Sequence, residues 1–214
     1  MTQGKTFPLK EKKGTLNLSN PIDQGAGALT FETDYVVKSD NGSTWKGAGI
    51  IINKGVTVDW RVNGKANDNL HKIGGGTLLV RGKGKNPGGL NIGDGVAILN
   101  QEANADGKKQ AFSTIDIVSG RPTVILKDAD QIDPNKIYFG YRGGRLDLNG
   151  NDISLARIKA VDNGAMIVNH NMDKAASVTL TGKGINNKYN DQAFLGFFWR
   201  KRFRFNQWQI RYLL

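Results

Sequence analysis

Short segments of alternating apolar and polar residues recur along most of the chain. Each follows a turn residue, usually glycine, and runs for about five residues with an apolar side chain at every second position. The pattern occurs at residues 14–18, 27–31, 55–60, 76–80, 89–92, 95–99, 121–126, 144–148, 151–155, 164–168 and 176–180. Successive side chains of a strand point to opposite faces, so the alternation predicts half-buried β-strands. Such short strands cannot offset their own loss of conformational entropy, and they must therefore stack.

The turns between these segments are rich in glycine, asparagine and aspartate, as at Asn63-Gly64 and Asp94-Gly95. These residues tolerate the backbone angles of tight corners. Asn-Gly turns are also typical of antiparallel hairpins, which are the main alternative. The uneven spacing of the segments and their shared pattern favour the stacked coils of a parallel β-helix. Only residues 153–160 carry a trace of helical periodicity.

Composition limits the compartment and the partners. The chain has no cysteine, which excludes a disulfide framework and a thiolate metal site. The sequence contains no apolar run long enough to cross a bilayer and no N-terminal signal peptide. A chain that starts at Met1 without a signal is therefore expected to stay in the cytoplasm.

Of the net charge of +11, five charges lie in one short segment, and the other six are spread over the rest of the chain. Residues 197–214 hold five basic residues, no acidic residue and many aromatic ones. The remaining sequence intersperses lysine and aspartate, and we expect no nucleic-acid partner. We therefore divide the chain into a β-helix stalk segment, residues 1–195, and a basic, aromatic tail, residues 196–214.

The tail is predicted to be irregular, because its aromatic residues follow neither a helical stripe nor a long alternation. One hypothesis is that a frameshift near Leu195 created it. AT-rich codons for residues 197–211, read one nucleotide later, can encode Gly-Glu-Lys-Asp and Asn-Gly-Lys-Leu. The alternative is a selected basic and aromatic arm for nucleic acid or an anionic membrane.

No residue cluster in the sequence has the spacing of a catalytic or metal site. His71 and His170 lie near polar turns, and no serine stands in the Gly-Asp-Ser-Gly setting of chymotrypsin-like enzymes. The seven serines are Ser19, Ser39, Ser43, Ser113, Ser119, Ser154 and Ser177. Residues 88–96 loosely resemble one calcium β-roll repeat, but such a roll needs tandem copies. We predict no catalytic residue, no cofactor and no metal ligand.

The most distinctive local string is Ile137-Tyr-Phe-Gly-Tyr-Arg-Gly-Gly-Arg145. Its aromatic and arginine side chains could form an exposed stacking surface. The alternative, which we favour, is one aromatic layer of the core with the arginines facing solvent.

Taken together, these local motifs resemble the passenger region of immunoglobulin A protease-type autotransporters of Gram-negative bacteria. Matching runs include Trp60-Arg-Val-Asn-Gly64 and Gly93-Asp-Gly-Val-Ala-Ile-Leu-Asn-Gln101. Further runs lie at residues 20–29, 70–74, 107–113, 118–123, 138–149 and 162–171, so the likeness spans roughly residues 14–184. The resemblance implies an all-β, right-handed parallel β-helix. In that family a serine protease domain precedes the stalk and a β-barrel translocator follows it.

The implied function is that of a fragment of a secreted IgA-specific serine endopeptidase autotransporter. Such a stalk presents the protease domain and itself lacks the catalytic triad, so whether this chain counts as an enzyme is left open. The expected partner is the rest of the passenger, and contact with a membrane would come only through the missing C-terminal barrel. The parent protein would reach the extracellular space or the outer-membrane surface through the periplasm.

Two other functions stay open. An adhesin or self-association module would bind host proteins or further copies, with residues 34–46 and 83–88 as surface loops. A polysaccharide-active β-helix enzyme would use clustered carboxylates. Asp128, Asp130 and Asp133 form the only tight acidic group, and a loop explains them more simply.

Overall fold

The chain winds into a parallel β-solenoid of about eight turns, which confirms the predicted all-β, parallel β-helix. The computed structural model describes residues 7–10, 12–47, 49–161 and 164–181, and the strands Arg202–Phe205 and Gln209–Arg211. In these residues helix is limited to two 3-10 turns, Ala129–Gln131 and Pro134–Lys136. Strands are numbered in chain order below.

Three faces surround one interior. The first sheet has seven parallel strands: β1 (Phe7–Leu9), β4 (Ala28–Phe31), β7 (Gly49–Ile52), β9 (Asn69–Ile73), β11 (Gly89–Ile92), β13 (Ile115–Ile117) and β15 (Ile137–Phe139). The second sheet has nine strands: β2 (Gly14–Asn17), β5 (Tyr35–Lys38), β8 (Thr57–Trp60), β10 (Thr77–Val80), β12 (Val96–Leu99), β14 (Thr123–Leu126), β16 (Arg145–Asp147), β18 (Met166–Val168) and β21 (Gln209–Arg211).

The third face is less regular. It contains the pair β3 (Ile22–Asp23) and β6 (Trp45–Lys46), and the strands β17 (Ile153–Leu155), β19 (Ala176–Leu180) and β20 (Arg202–Phe205). Isolated bridges join Lys83 to Glu102 and Lys85 to Gln110 between these two groups. Each coil therefore passes through the second sheet, then the third face, then the first sheet.

The core consists of side chains stacked in register from coil to coil. In the second sheet Val58, Leu78, Ala97 and Val124 are paired neighbours, and each is fully buried. Burial of an aliphatic side chain of this kind stabilises the fold by about 1.5–3 kcal/mol. The parallel register gives every coil the same inward positions, so the interior is continuous.

All eleven alternating segments of the sequence contain strands in the structure. The trace of helical period at residues 153–160 was misleading, because Ile153–Leu155 pairs as a strand with β19 and Ala160 bridges to Phe139. Residues 34–46 and 83–88 are not free loops either. The first range contains β5 and β6, and the second is bridged to the next coil.

The tail contains β20 and β21, which pair with the last coil, and the irregular conformation of its other residues stays a prediction. The edge of that coil offers unpaired backbone groups that an antiparallel strand can satisfy. The proposed boundary between residues 195 and 196 lies outside the described residues.

Candidate functional site

Lys72 is a fully buried charged residue in the first sheet. It stands in register between Ile50 and Ile92, in a row of inward side chains. Its Nζ donates to the carbonyl oxygens of Gly74, Gly76 and Asp94 at 2.6, 2.7 and 2.7 Å. All three ammonium protons therefore have acceptors.

These acceptors lie at the corners of two successive coils. Gly74 and Gly76 follow β9, and Asp94 follows β11 in the next coil. Gly95, with a φ of 71°, completes the second corner, and a Cβ there would collide with the Lys72 Nζ. Burial lowers the pKa of Lys72 to about 8. Lys72 thus joins two corners, and its contacts are those of a structural residue.

His170 and Asp147 form a close pair. The Nδ1 of His170 lies 2.9 Å from Oδ2 of Asp147, whose other oxygen accepts the backbone N–H groups of Asn149 and His170. Asp147 is buried, whereas His170 is exposed, as is His71 on the first sheet. Among the hydrogen bonds described for the chain, none joins a serine hydroxyl to either histidine. The absence of catalytic residues stays a prediction.

The tight acidic group serves local structure. Asp128 accepts from the backbone N–H of Asp130 and pairs with Lys109 at 3.0 Å, and Asp133 accepts from the N–H of Asn135. Two of these carboxylates therefore cap the two 3-10 turns. Within the described part of the chain, histidine and acidic side chains form no group of three that could hold a metal ion.

The aromatic string at residues 137–145 divides between inside and outside. Phe139 is 2% exposed and belongs to the core, but Tyr138 and Tyr141 are 41% and 66% exposed. The guanidinium carbon of Arg142 lies 5.8 Å from the centre of the Tyr141 ring. Of the three aromatic residues, only Phe139 lies in the core as favoured, while Arg142 and Arg145 are exposed as expected. Strand alternation in β15 explains Tyr138, since Ile137 and Phe139 take the inward positions.

The outer face of the second sheet carries aliphatic side chains next to an ion-pair cluster. Leu79, Ile98 and Ile125 are half-buried and in register on three successive coils. On the preceding coil Asp59 binds Arg61 and Arg81. Burial raises the pKa of Asp59, but the hydrogen bonds from the two arginines outweigh it and hold that pKa below its ordinary value.

Two loops that project from the coils border an open groove of about 380 Å³. The groove is lined by residues that include Lys85, Lys108, Asp130 and Asp133. Its sides come from the loops that connect β12 to β13 and β14 to β15. The groove has no direct signal in the sequence, because the loops meet only when the coils stack.

In the part of the chain that the structure describes, no helix combines the length and the apolar character needed to cross a membrane. No protein-family model matches the sequence. Individual relatives do match it. The chain is 54% identical over 183 residues to the Immunoglobulin A1 protease autotransporter of Haemophilus influenzae. It is 55% identical over 184 residues to the Adhesion and penetration protein autotransporter of the same species. These alignments cover 85% of this chain and 11% and 13% of the two relatives.

Solved structures share the fold. The Hap adhesin of Haemophilus influenzae superposes with a TM-score of 0.79 at 50% identity, over 85% of this chain and 20% of that one. The chain matches part of an autotransporter passenger stalk. The passenger domain of the plasmid-encoded toxin of enteroaggregative Escherichia coli, an autotransporter enterotoxin, gives a TM-score of 0.71 at 31% identity. That superposition covers 83% of this chain and 21% of the toxin chain.

The stalk segment spans only about a tenth of the length of the curated relatives it matches. Those relatives are autotransporters, and the resemblance drawn from the sequence is confirmed. Because the chain covers only a small part of each relative, the activities of those relatives belong to much longer proteins.

Proposed function

We propose that this stalk segment holds a serine protease domain away from the cell surface in a secreted autotransporter. The observation that supports this role is the continuous interior, in which buried rows run through successive coils of the second sheet. Neighbouring strands are spaced about 4.8 Å apart, so eight coils form a spacer roughly 40 Å long. A spacer of this kind needs no reactive side chain of its own.

For the parent protein we propose immunoglobulin A as the substrate and an extracellular or outer-membrane location reached through the periplasm. Support comes from the relatives named Immunoglobulin A1 protease autotransporter and IgA-specific serine endopeptidase autotransporter. The rest of the passenger is then the partner of this segment, and the part that precedes it would stack on its first coil.

A segment exchange tests the spacer role. The aligned segment of the Haemophilus influenzae Immunoglobulin A1 protease autotransporter is replaced by the corresponding residues of this chain. We expect surface exposure and immunoglobulin A1 cleavage close to those of the unmodified relative. The purified chain alone is expected to cleave neither immunoglobulin A1 nor casein.

The matched control is the same exchange carrying Val80→Asp, which places an unpaired charge in the core. This control is expected to lose surface exposure of the passenger. A second control reinserts the relative's own segment through the same junctions. If that control reaches the surface but the protein with the unmodified segment of this chain does not, the spacer role is contradicted.

A second candidate function is that of an adhesin, which is favoured by the match to the Hap adhesin and by the open groove beside Lys85 and Lys108. The test is binding of the purified chain to immobilised host matrix proteins and to its own copies. Exchange of both lysines for glutamate is expected to weaken binding, and Lys54→Glu, an exposed site elsewhere, is the control. Unchanged binding in the variant with both lysines replaced would show that the groove does not contribute to adhesion.

A further inference from the structure

The last coil of the solenoid is covered by two strands that run against its direction. β20 pairs antiparallel with β19, with Phe203 opposite Val178. β21 pairs antiparallel with β18, with Ile210 opposite Ile167. These are the antiparallel pairs among the described strands, since all the other pairs are parallel.

The order of the faces shows how these strands follow the coil. The solenoid visits the second sheet before the third face in every turn, whereas β20 meets the third face and β21 then meets the second sheet. The two tail strands therefore retrace the last coil backwards. They take the edges of β18 and β19 on which a further parallel coil would have to pair.

An open edge at this end would be costly. It would expose backbone donors and acceptors of β18 and β19, next to side chains such as Ile167, Ala176 and Val178 that are buried in the described structure. Exposed strand edges of this kind recruit strands from other chains. Solenoids accordingly need terminal caps that cannot be extended.

The composition of the tail suits a terminal strand. Residues 197–214 carry five basic residues and no acidic one, and β20 and β21 are only four and three residues long. Short, positively charged edge strands resist pairing with a further strand. Pairing of a second copy through its own tail would bring like charges together.

We propose that β20 and β21 form a cap that closes the solenoid at β18 and β19 and prevents edge-to-edge association between copies of the chain. The strands that pair with the edge of the last coil belong to the tail of the same chain. The cap acts through backbone pairing, so it does not depend on the activity of a longer parent protein.

The test breaks the pairing without removing the tail. Adjacent strand residues direct their N–H groups to opposite sides, so the double variant Phe203→Pro/Arg204→Pro removes a donor to β19 whichever residue supplies it. The control is Arg202→Gln/Arg204→Gln, which lowers the charge and keeps every backbone donor. Hydrogen exchange of the β18 and β19 amides is measured in the full-length chain, with β8 as the internal reference, together with light scattering.

We expect exchange at Val178, whose N–H group faces β20, to become faster by about tenfold or more in the proline variant, because the local edge opens. The same variant should associate as its concentration rises, while the wild type and the glutamine control stay monomeric. Unchanged exchange and unchanged mass in the proline variant would overturn the cap. If, in addition, the glutamine control alone loses binding to anionic vesicles, the tail acts as a membrane-binding arm instead.

Discussion

The first and second sheets enclose the same interior but build their inner faces differently. The inward row of the second sheet through Val58, Leu78, Ala97 and Val124 is apolar on four successive coils. The corresponding row of the first sheet places Lys72 between Ile50 and Ile92. The register with the neighbouring coils therefore decides which side chains point into the interior of a solenoid, even where the side chain is charged.

The charge is tolerated because the corner beside it supplies carbonyl oxygens. A buried ammonium without partners would cost several kcal/mol, whereas each charge-assisted hydrogen bond contributes about 1.5–3 kcal/mol. Lys72 finds its acceptors on two coils and thereby joins them. In the second sheet the row through Val58, Leu78 and Val124 has only apolar side chains, which add packing to the backbone hydrogen bonds between the strands.

The largest effect should come from the second sheet. Trp60 is buried and packs edge-on against Trp45, with ring centres 5.0 Å apart. Trp60→Ala is expected to lower the free energy of unfolding by about 3–5 kcal/mol, because it removes a large side chain and leaves a cavity. Urea denaturation measures the loss. Ile98→Ala, on the outer face of the same sheet, is the control and should cost much less. Equal losses for the two variants would contradict an apolar-packed inner face.

Removal of Lys72 should have the next largest effect. Lys72→Ala is expected to cost about 2–4 kcal/mol, since it leaves a cavity and buried carbonyl oxygens without a donor. Lys72→Met restores most of the volume and should cost about 1–3 kcal/mol, which isolates the hydrogen bonds. Urea denaturation at pH 7 compares both with the wild type. A methionine variant as stable as the wild type would show that the corner bonds add nothing to the first sheet.

Stability should also depend on pH through Lys72. Its pKa is about 8 in the folded chain and 10.5 in its ordinary state. Between these values the unfolded chain holds a proton that the folded chain has released. The free energy of unfolding therefore rises with pH, by at most about 1.4 kcal/mol per unit.

Urea denaturation of the wild type and of Lys72→Met at intervals from pH 7 to 10 measures this dependence. The difference between the two chains should grow only above pH 8, because below it Lys72 is protonated in both states. Parallel curves across the whole range would exclude Lys72 as the titrating group.

The smallest effect is expected on the outer face of the second sheet. Asp59→Asn weakens the pairs with Arg61 and Arg81, and should cost less than about 1 kcal/mol because such surface pairs are screened by water. In the wild type this contribution is present above the ordinary pKa of Asp59 and is lost as the pH falls through its lowered folded value. Denaturation at low and high salt should show the cost shrinking with salt. A salt-independent cost above that of Lys72→Ala would reverse the order of these effects.

The two sheets also differ in how far the sequence predicts them. Alternation found seven of the eight parallel strands of the second sheet, but only β4 and β11 of the first. Four of the missed strands have other patterns: Gly49–Ile52 is apolar throughout, Asn69–Ile73 contains the buried lysine, and Ile115–Ile117 and Ile137–Phe139 are short. The resemblance to autotransporter passengers was nevertheless readable, because it rests on local strings of residues.

The sequence by itself determined the repeating strand, the glycine-rich corner and therefore a stacked β-structure, since each of these depends on residues close together in the chain. Tertiary structure alone decided the acceptors of Lys72, the groove between two loops and the strands that the tail adds to the last coil. Those features join residues on different coils, and their partners are fixed only when the coils stack in register. Local alternation carries no information about that register, whereas backbone pairing between coils does.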